Sequence, residues 1–254
     1  MNILLWLAYK GTNYSGFQVQ PNGVTVCAVV QDAMQSVFGT RPDVKGCSRT
    51  DAGVHARRFA LNFHYDGRIP VQRIPLALTP ACPWMCGHWQ RSRCRMISTP
   101  AMPPTPKPTT TACGAARWMI PLIMRPATGS TARWTLPPCR RRLPIFVGRH
   151  DFLALCASGS SAAAHGDTVR TITACTVQQD GELYTLSVTA DGYLYNMVRI
   201  LAGTVLQAGL GKMNPAAVPA LLQSRNRGQA GPTLPARGLF LWDVQYPDLE
   251  RPND

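Results

Sequence analysis

Apolar and polar positions along the chain follow two periods, and the points where the period changes mark the elements. Asn2 to Tyr9, NILLWLAY, is an almost unbroken apolar run that stops at Lys10-Gly11 and predicts a first strand. The following KGTNYSGFQVQPNG is rich in Gly and Asn and predicts a loop. In VVQDAMQSVFG the residues Val29, Val30, Ala33, Met34, Val37 and Phe38 recur at helical spacing, and Gly39 stands where a left-handed C-cap residue would. FALNFHYDG then alternates Phe59, Leu61, Phe63 and Tyr65 with other residues, the period of a half-buried strand. Strand, helix and strand thus frame the loop GCSRTDAGVHA, Gly46 to Ala56.

The second half uses the same vocabulary in another order. DTVRTITACTVQQDGELYTLSVTADG predicts two alternating strands joined at Asp180-Gly181, a favoured hairpin pair. YLYNMVRILAGTVLQAGLG sets Met197, Ile200, Leu201, Thr204 and Val205 along one helical stripe, with Gly209 and Gly211 near its end. GLFLWDVQY predicts a closing strand. The fold class that follows is α+β: two α/β halves with antiparallel or mixed sheets, divided between residues 1–95 and 96–254.

The 254 residues can bury a real core. MNILLWLAYKG has neither the basic flank nor the small-residue cleavage site of a secretion signal, and no run approaches the ~20 apolar residues of a membrane span. Nine cysteines without regular spacing fit reduced thiols, and the chain is expected in the cytoplasm. A formal charge of +13 points toward nucleic acid, but its distribution changes that reading. Thr79 to Pro144 contains no Asp or Glu, and ten of its residues are Lys or Arg, so this stretch accounts for most of the excess. It also holds 12 of the 22 prolines and five of the nine cysteines. Its composition differs in kind from what flanks it.

In GCSRTDAGVHA a single carboxylate, Asp51, stands between Arg49 and His55. A carboxylate beside an arginine stays ionised and can act as a nucleophile, and small neighbours such as Ala52 and Gly53 admit a bulky substrate to the backbone. Ordinary turn and cap chemistry accounts for the same residues. His55 reads as structural, a neutral imidazole satisfying a nearby backbone group.

Several long motifs, in order, carry a resemblance. GCSRTDAGVHA is similar to the signature G-[CR]-T-D-A-G-V-H around the catalytic aspartate of the tRNA pseudouridine synthase A family. YKGTNYSGFQVQ resembles that family's loop after the first strand, VVQDAM its first helix and FVGRHDFLALCASGS its central helix region. YNMVRILAGTVLQAGLGK resembles its late helix and ARGLFLWDVQY its last strand. The resemblance covers Met1 to Leu78 and Ile145 to Tyr246. It implies a pseudouridine synthase fold with two similar α/β domains around a central RNA-binding cleft. It also implies a homodimer and an isomerase that converts uridine to pseudouridine in the anticodon stem-loop of tRNA without metal or organic cofactor. Asp51 is then the catalytic nucleophile, Arg199 of MVR its ion-pair partner, and Arg49 a contact that helps displace the target nucleotide. Taking a base out of its stack costs a few kcal/mol, so a guanidinium filling the vacated space has a physical role.

The family's remaining active-site piece, D-F-H-A-R-[FY] followed by K-x-Y-x-Y, belongs between Leu78 and Ile145 and is missing. The place of the tyrosine that packs against the target base falls at Thr109. The genetic code explains the loss. When each codon's third base is joined to the next codon's first two, Trp84-Met85, Met96-Ile97, Trp118-Met119, Met119-Ile120 and Trp134-Thr135 are each forced to encode Asp. From Met96 the same shift permits Asp, Phe, His, Ala, Arg, Tyr and Ala in turn, and Pro108 to Thr111 permits Tyr-Tyr-Tyr. Thr79 to about Arg142 therefore reads as an out-of-frame translation between two compensating shifts, with poor packing expected across it and little or no activity in the chain as it stands.

Two rival readings of this segment exist. Cys82, Cys86, His88 and Cys94 suggest a zinc site, but the spacing lacks a matching second pair. A basic, Pro-rich disordered insert suggests a non-catalytic RNA-binding protein.

Overall fold

A computed structural model describes residues 1–82, 97–99, 113–121, 143–180 and 183–246, with the backbone alone described at 97–99, 113–121, 179 and 180. Thr109, Cys86, His88 and Cys94 lie outside the described residues. In chain order the first elements are β1 (Asn2–Tyr9), α1 (Val26–Phe38), β2 (Val44–Gly46), β3 (His55–His64), α2 (Ile74–Leu78), β4 (Ile97–Thr99) and β5 (Cys113–Pro121). They are followed by β6 (Gly148–Asp151), α3 (Ser161–Ala164), β7 (Val169–Asp180), β8 (Leu183–Ala190), α4 (Met197–Gly209), α5 (Val218–Ser224) and β9 (Leu239–Gln245). The chain forms two compact units, Met1–Ala112 with Phe240–Asp254, and Cys113–Leu239. The last strand therefore returns to the first unit, a long-range pairing that local patterning does not reveal.

In the first unit β3 is central. One edge pairs antiparallel with β1, from Asn2↔His64 to Leu7↔Phe59, and β4 adds to the far edge of β1. The other edge of β3 is shared. β2 pairs with its far end at Val44↔Phe63 to Gly46↔Leu61, and β9 runs parallel to its near end at His55↔Phe240 and Ala56↔Leu241. Beyond that parallel register, Arg57 lies over the Trp242 ring at 4.7 Å and Arg58 pairs with Asp243 at 3.5 Å. Ile3, Leu5 and Leu7 of β1, Phe59, Leu61 and Phe63 of β3, and Val26, Val30, Ala33 and Met34 of α1 form one buried cluster. Helix α1 starts three residues before the first apolar position used to predict it, because the Thr25 hydroxyl accepts the Ala28 N–H and caps it there. It ends as predicted, with Gly39 at φ +75°.

The second unit is an antiparallel sheet ordered β5-β8-β7-β6. The predicted hairpin is present, with Asp180 opposite Leu183, and Tyr184, Leu186, Val188 and Ala190 of β8 are buried while their neighbours are half-exposed. On α4 the stripe Met197, Ile200, Leu201 and Thr204 is buried as predicted, whereas Val205 lies at its margin.

One expectation needs correction. The region FVGRHDFLALCASGS, which resembles a helical part of the family, instead forms β6 and a 3-10 turn at Leu153–Leu155, and α3 is one short turn. Gly148 at φ +114° and the Asp151 carboxylate, which accepts the Leu153 N–H at 3.0 Å, divert the backbone from a helix. Within Thr79 to Arg142, β4 and β5 are formed, and β5 pairs with β8 from Gly114↔Ala190 to Pro121↔Leu183. Strand pairing uses the peptide N–H and C=O that every residue except proline carries. The segment's prolines are clustered, and Thr109 to Ile120 is free of them.

Candidate active site

The loop carrying Asp51 leaves β2 and enters β3, and its shape is set from below by a second loop. The Cys47 N–H extends the β2–β3 ladder to the Ala60 carbonyl at 2.8 Å. The chain then turns. The Thr50 hydroxyl bonds the hydroxyl of buried Tyr9 at 2.8 Å, and the Thr50 carbonyl accepts the Phe17 N–H at 3.2 Å. The Asp51 carbonyl accepts the Val54 N–H at 3.2 Å, closing a tight turn, and Gly53, at φ +81°, donates to the Tyr14 carbonyl at 3.1 Å. His55 is buried, and its Nδ1 accepts the Gly11 N–H at 2.9 Å. That bond requires an unprotonated Nδ1, so the ring serves the backbone, as the sequence suggests.

Residues 10–17 and 47–55 therefore lie backbone against backbone. A Cβ at Gly11 would stand 1.9 Å from the Val54 carbonyl oxygen, and one at Gly16 would stand 2.5 Å from that of Thr50. Gly16 also holds φ +87°. These contacts explain why the motifs YKGTNYSGF and GCSRTDAGVHA occur together, although each alone reads as a loop. The arrangement leaves Asp51 half-buried and Arg49 and Ala52 exposed at the loop's crest. Tyr9, Gly11, Gly16 and Thr50 escape sequence reasoning as site residues because their contribution is a contact between distant loops. The only signal was the glycine spacing after the first strand.

Arg199 belongs to the second unit, in the first turn of α4. Asn196 precedes the helix at φ +58°, and its Oδ1 accepts from Arg199 Nη1 at 2.6 Å. Arg199 Nε donates to the Leu234 carbonyl at 2.8 Å. Leu234 is held by residues 231–234 crossing α4, where Gly231 N–H donates to the Thr204 hydroxyl at 2.9 Å and a Cβ on Gly203 would stand 1.8 Å from the Pro232 carbonyl oxygen. The guanidinium is thus oriented from two sides, with charge-assisted bonds that fix its direction. The Asp51 loop and Arg199 are each defined within their own unit.

Among the described residues no group of three His, Cys, Asp or Glu side chains is placed to hold a metal ion, and no helix is long and apolar enough to cross a membrane. A cavity of about 570 Å³, lined by apolar Phe38, Phe63 and Tyr65 as well as by Asp43, Lys45 and Asn62, lies at the end of β3 away from the Asp51 loop.

Comparison with known proteins bears on this geometry. Residues 144–247 match the family model described as tRNA pseudouridine synthase, a match that begins just past the anomalous segment. The chain is 33% identical over 245 residues to tRNA pseudouridine synthase A of Caldicellulosiruptor saccharolyticus, covering 96% of this chain and 99% of the relative. It is 36% identical over 258 residues to the protein of that name from Moorella thermoacetica, covering 94% and 97%. The relative from Clostridium kluyveri is 34% identical over 254 residues, covering 96% and 99%. With relatives matched over nearly their whole length, and with the aspartate loop clasped by its companion motif, the chain belongs to the tRNA pseudouridine synthase A family.

Proposed function

We propose that this chain acts in the anticodon stem-loop of tRNA with Asp51 as the nucleophile. As a member of its family it is an isomerase acting on uridine in tRNA. The reaction breaks the bond between N1 of uracil and C1′ of ribose, turns the base, and joins C5 to C1′. The proton lost from C5 is balanced by one gained at N1, so atoms and oxidation level are unchanged and the chemistry consumes no cofactor. A nucleophile that attaches to the sugar or to the base holds the two fragments together between the steps.

The observation that carries the role of Asp51 is the clasp around its loop. The turn that carries half-buried Asp51 has its backbone locked by Tyr9, Phe17, Tyr14 and the Gly11–His55 bond, so the position from which the carboxylate projects is set before substrate arrives, which favours effective positioning. Arg199 is the proposed partner that keeps the carboxylate ionised, and the two bonds orienting its guanidinium support that role. Exposed Arg49, two residues before Asp51, is the proposed contact that fills the space left by the displaced nucleotide. The proposal includes a homodimer in the cytoplasm, as the family resemblance implies, with Thr109 standing non-functionally where the family has its base-packing tyrosine.

The alternative of a long insert in a binding protein loses ground. Relatives covered over 99% of their length align across 245 residues, so Thr79 to Arg142 replaces a stretch they also possess. The experiment is Asp51→Asn in the chain whose frame is restored from Thr79 to Arg142, with pseudouridine quantified in an unmodified tRNA transcript and tRNA affinity measured in parallel. Product formation should vanish while affinity stays within about threefold. Product formed at the parent's rate would remove Asp51 from the mechanism.

A further inference from the structure

Among the described side chains, aromatic rings are covered with one exception. Of the aromatic residues whose side chains are described, Tyr195 alone is more than a third exposed, at 50%. It does not project from a loose loop. Tyr193, two residues earlier, is tied down by its hydroxyl on the Val188 carbonyl at 2.9 Å, and Leu194 is buried. The Leu194 carbonyl accepts the Met197 N–H at 3.0 Å, and the Tyr195 carbonyl accepts the Ala157 N–H at 3.0 Å. Asn196 then takes its left-handed conformation and bonds Arg199. The backbone on both sides of Tyr195 is fixed, its ring faces solvent, and its neighbour orients a guanidinium.

Exposing a phenol ring on a pinned backbone forgoes the apolar burial that the other described rings obtain. Unpaired nucleotides are held by flat side chains on which a base can stack, beside cationic groups that meet the backbone. We propose that Tyr195 is a tRNA-binding residue whose ring stacks on a nucleobase of the substrate, next to Arg199. This rests on the reading that the chain binds tRNA. It assigns a contact separate from the base-packing tyrosine whose place falls at Thr109.

The test is equilibrium binding of a fluorescent, unmodified tRNA transcript to the full chain and to Tyr195→Ala, Tyr195→Leu and Tyr195→Phe, each at several salt concentrations. Removing one stacking ring should weaken binding by about 5- to 100-fold in the Ala and Leu variants. The Phe variant should stay within about twofold of the parent. The dependence of log Kd on log salt should keep its slope in all of them, because a ring releases no counterions. Thermal midpoints should be unchanged, since the side chain is exposed, and the Leu variant preserves apolar bulk should the Ala variant lose stability. Parent-like affinity in both Ala and Leu variants would overturn the assignment, as would a Phe variant as weak as Ala. A parent chain that fails to bind tRNA would overturn this inference together with the functional reading, an outcome distinct from a parent that binds and variants that bind equally well.

Discussion

At the scale of single residues, the aspartate loop depends on atoms that are missing as much as on those present. Gly11 has no space for a Cβ, whereas Gly39, with φ +75°, has nothing within 4 Å of where its Cβ would be. Gly39→Ala should therefore cost only left-handed strain, about 1–2 kcal/mol. Gly11→Ala should exceed it, because the Val54 carbonyl must move and take the Gly11–His55 bond with it. Urea midpoints of the two variants decide the order, and equal midpoints would show that the two loops yield easily. Two thiols, on half-buried Cys47 and buried Cys175, set a second expectation. Burial pushes Cys47 and Cys175 from 9.0 up to about 12. Below the lower value both folded and unfolded chains keep these protons; between 9.0 and about 12 only the folded chain does, so stability should fall as pH rises through that window. Urea midpoints at about pH 8 and about pH 10.5 should separate less in the Cys47→Ala, Cys175→Ala double variant than in the parent. Asp51 was legible in the sequence because its motif is contiguous. The Tyr9–Thr50 bond was not, since 41 residues separate its partners.

At the scale of elements, what was legible followed periodicity, and what was missed followed competition for the backbone. β1, α1, β3, the β7–β8 hairpin, α4 and β9 all carry a regular apolar pattern, and all formed where it lies. The region after Phe146 carries apolar residues too, but Gly148 and the Asp151 carboxylate claim the backbone for a strand and a turn. β5 was missed for the opposite reason, since its partner β8 supplies a ladder that a proline-rich average conceals. Helix α4 offers a test in which two rules disagree in sign. Gly to Ala in a helix interior normally stabilises by about 1 kcal/mol. Gly203→Ala should instead destabilise, because the new Cβ would stand 1.8 Å from the Pro232 carbonyl oxygen. Its displacement would also draw the Leu234 carbonyl from Arg199, so pseudouridine formation by the chain with its frame restored should fall with stability. A raised urea midpoint would mean that the crossing segment 231–234 moves freely and that Arg199 does not depend on it.

At the scale of the whole molecule, the segment Thr79 to Arg142 decides what the chain can do. Relatives match 96% of the chain at about one residue in three overall, so the segment occupies the length that a family member requires. Two compensating frameshifts preserve length while replacing content, which a genuine insertion would not do. The shift also accounts for the charge: at least five aspartates are forced in the alternative frame, across an interval that now contains no acidic residue among its Lys and Arg. On the proposed reading Thr109 stands where the family has a tyrosine against the target base, and a threonine has no flat ring to hold uracil. A misplacement of about 1 Å can cost ~100-fold in rate, so loss of that contact should leave the chain inactive or nearly so. Restoring the frame from Thr79 to Arg142 should raise pseudouridine formation in tRNA by at least that factor, with Asp51→Asn abolishing it in the restored chain. The coding DNA across the interval is the first check, since it must contain a gain and a loss of bases that cancel. Full activity of the chain as it stands, measured beside the restored one, would show that this fold positions uracil without the tyrosine.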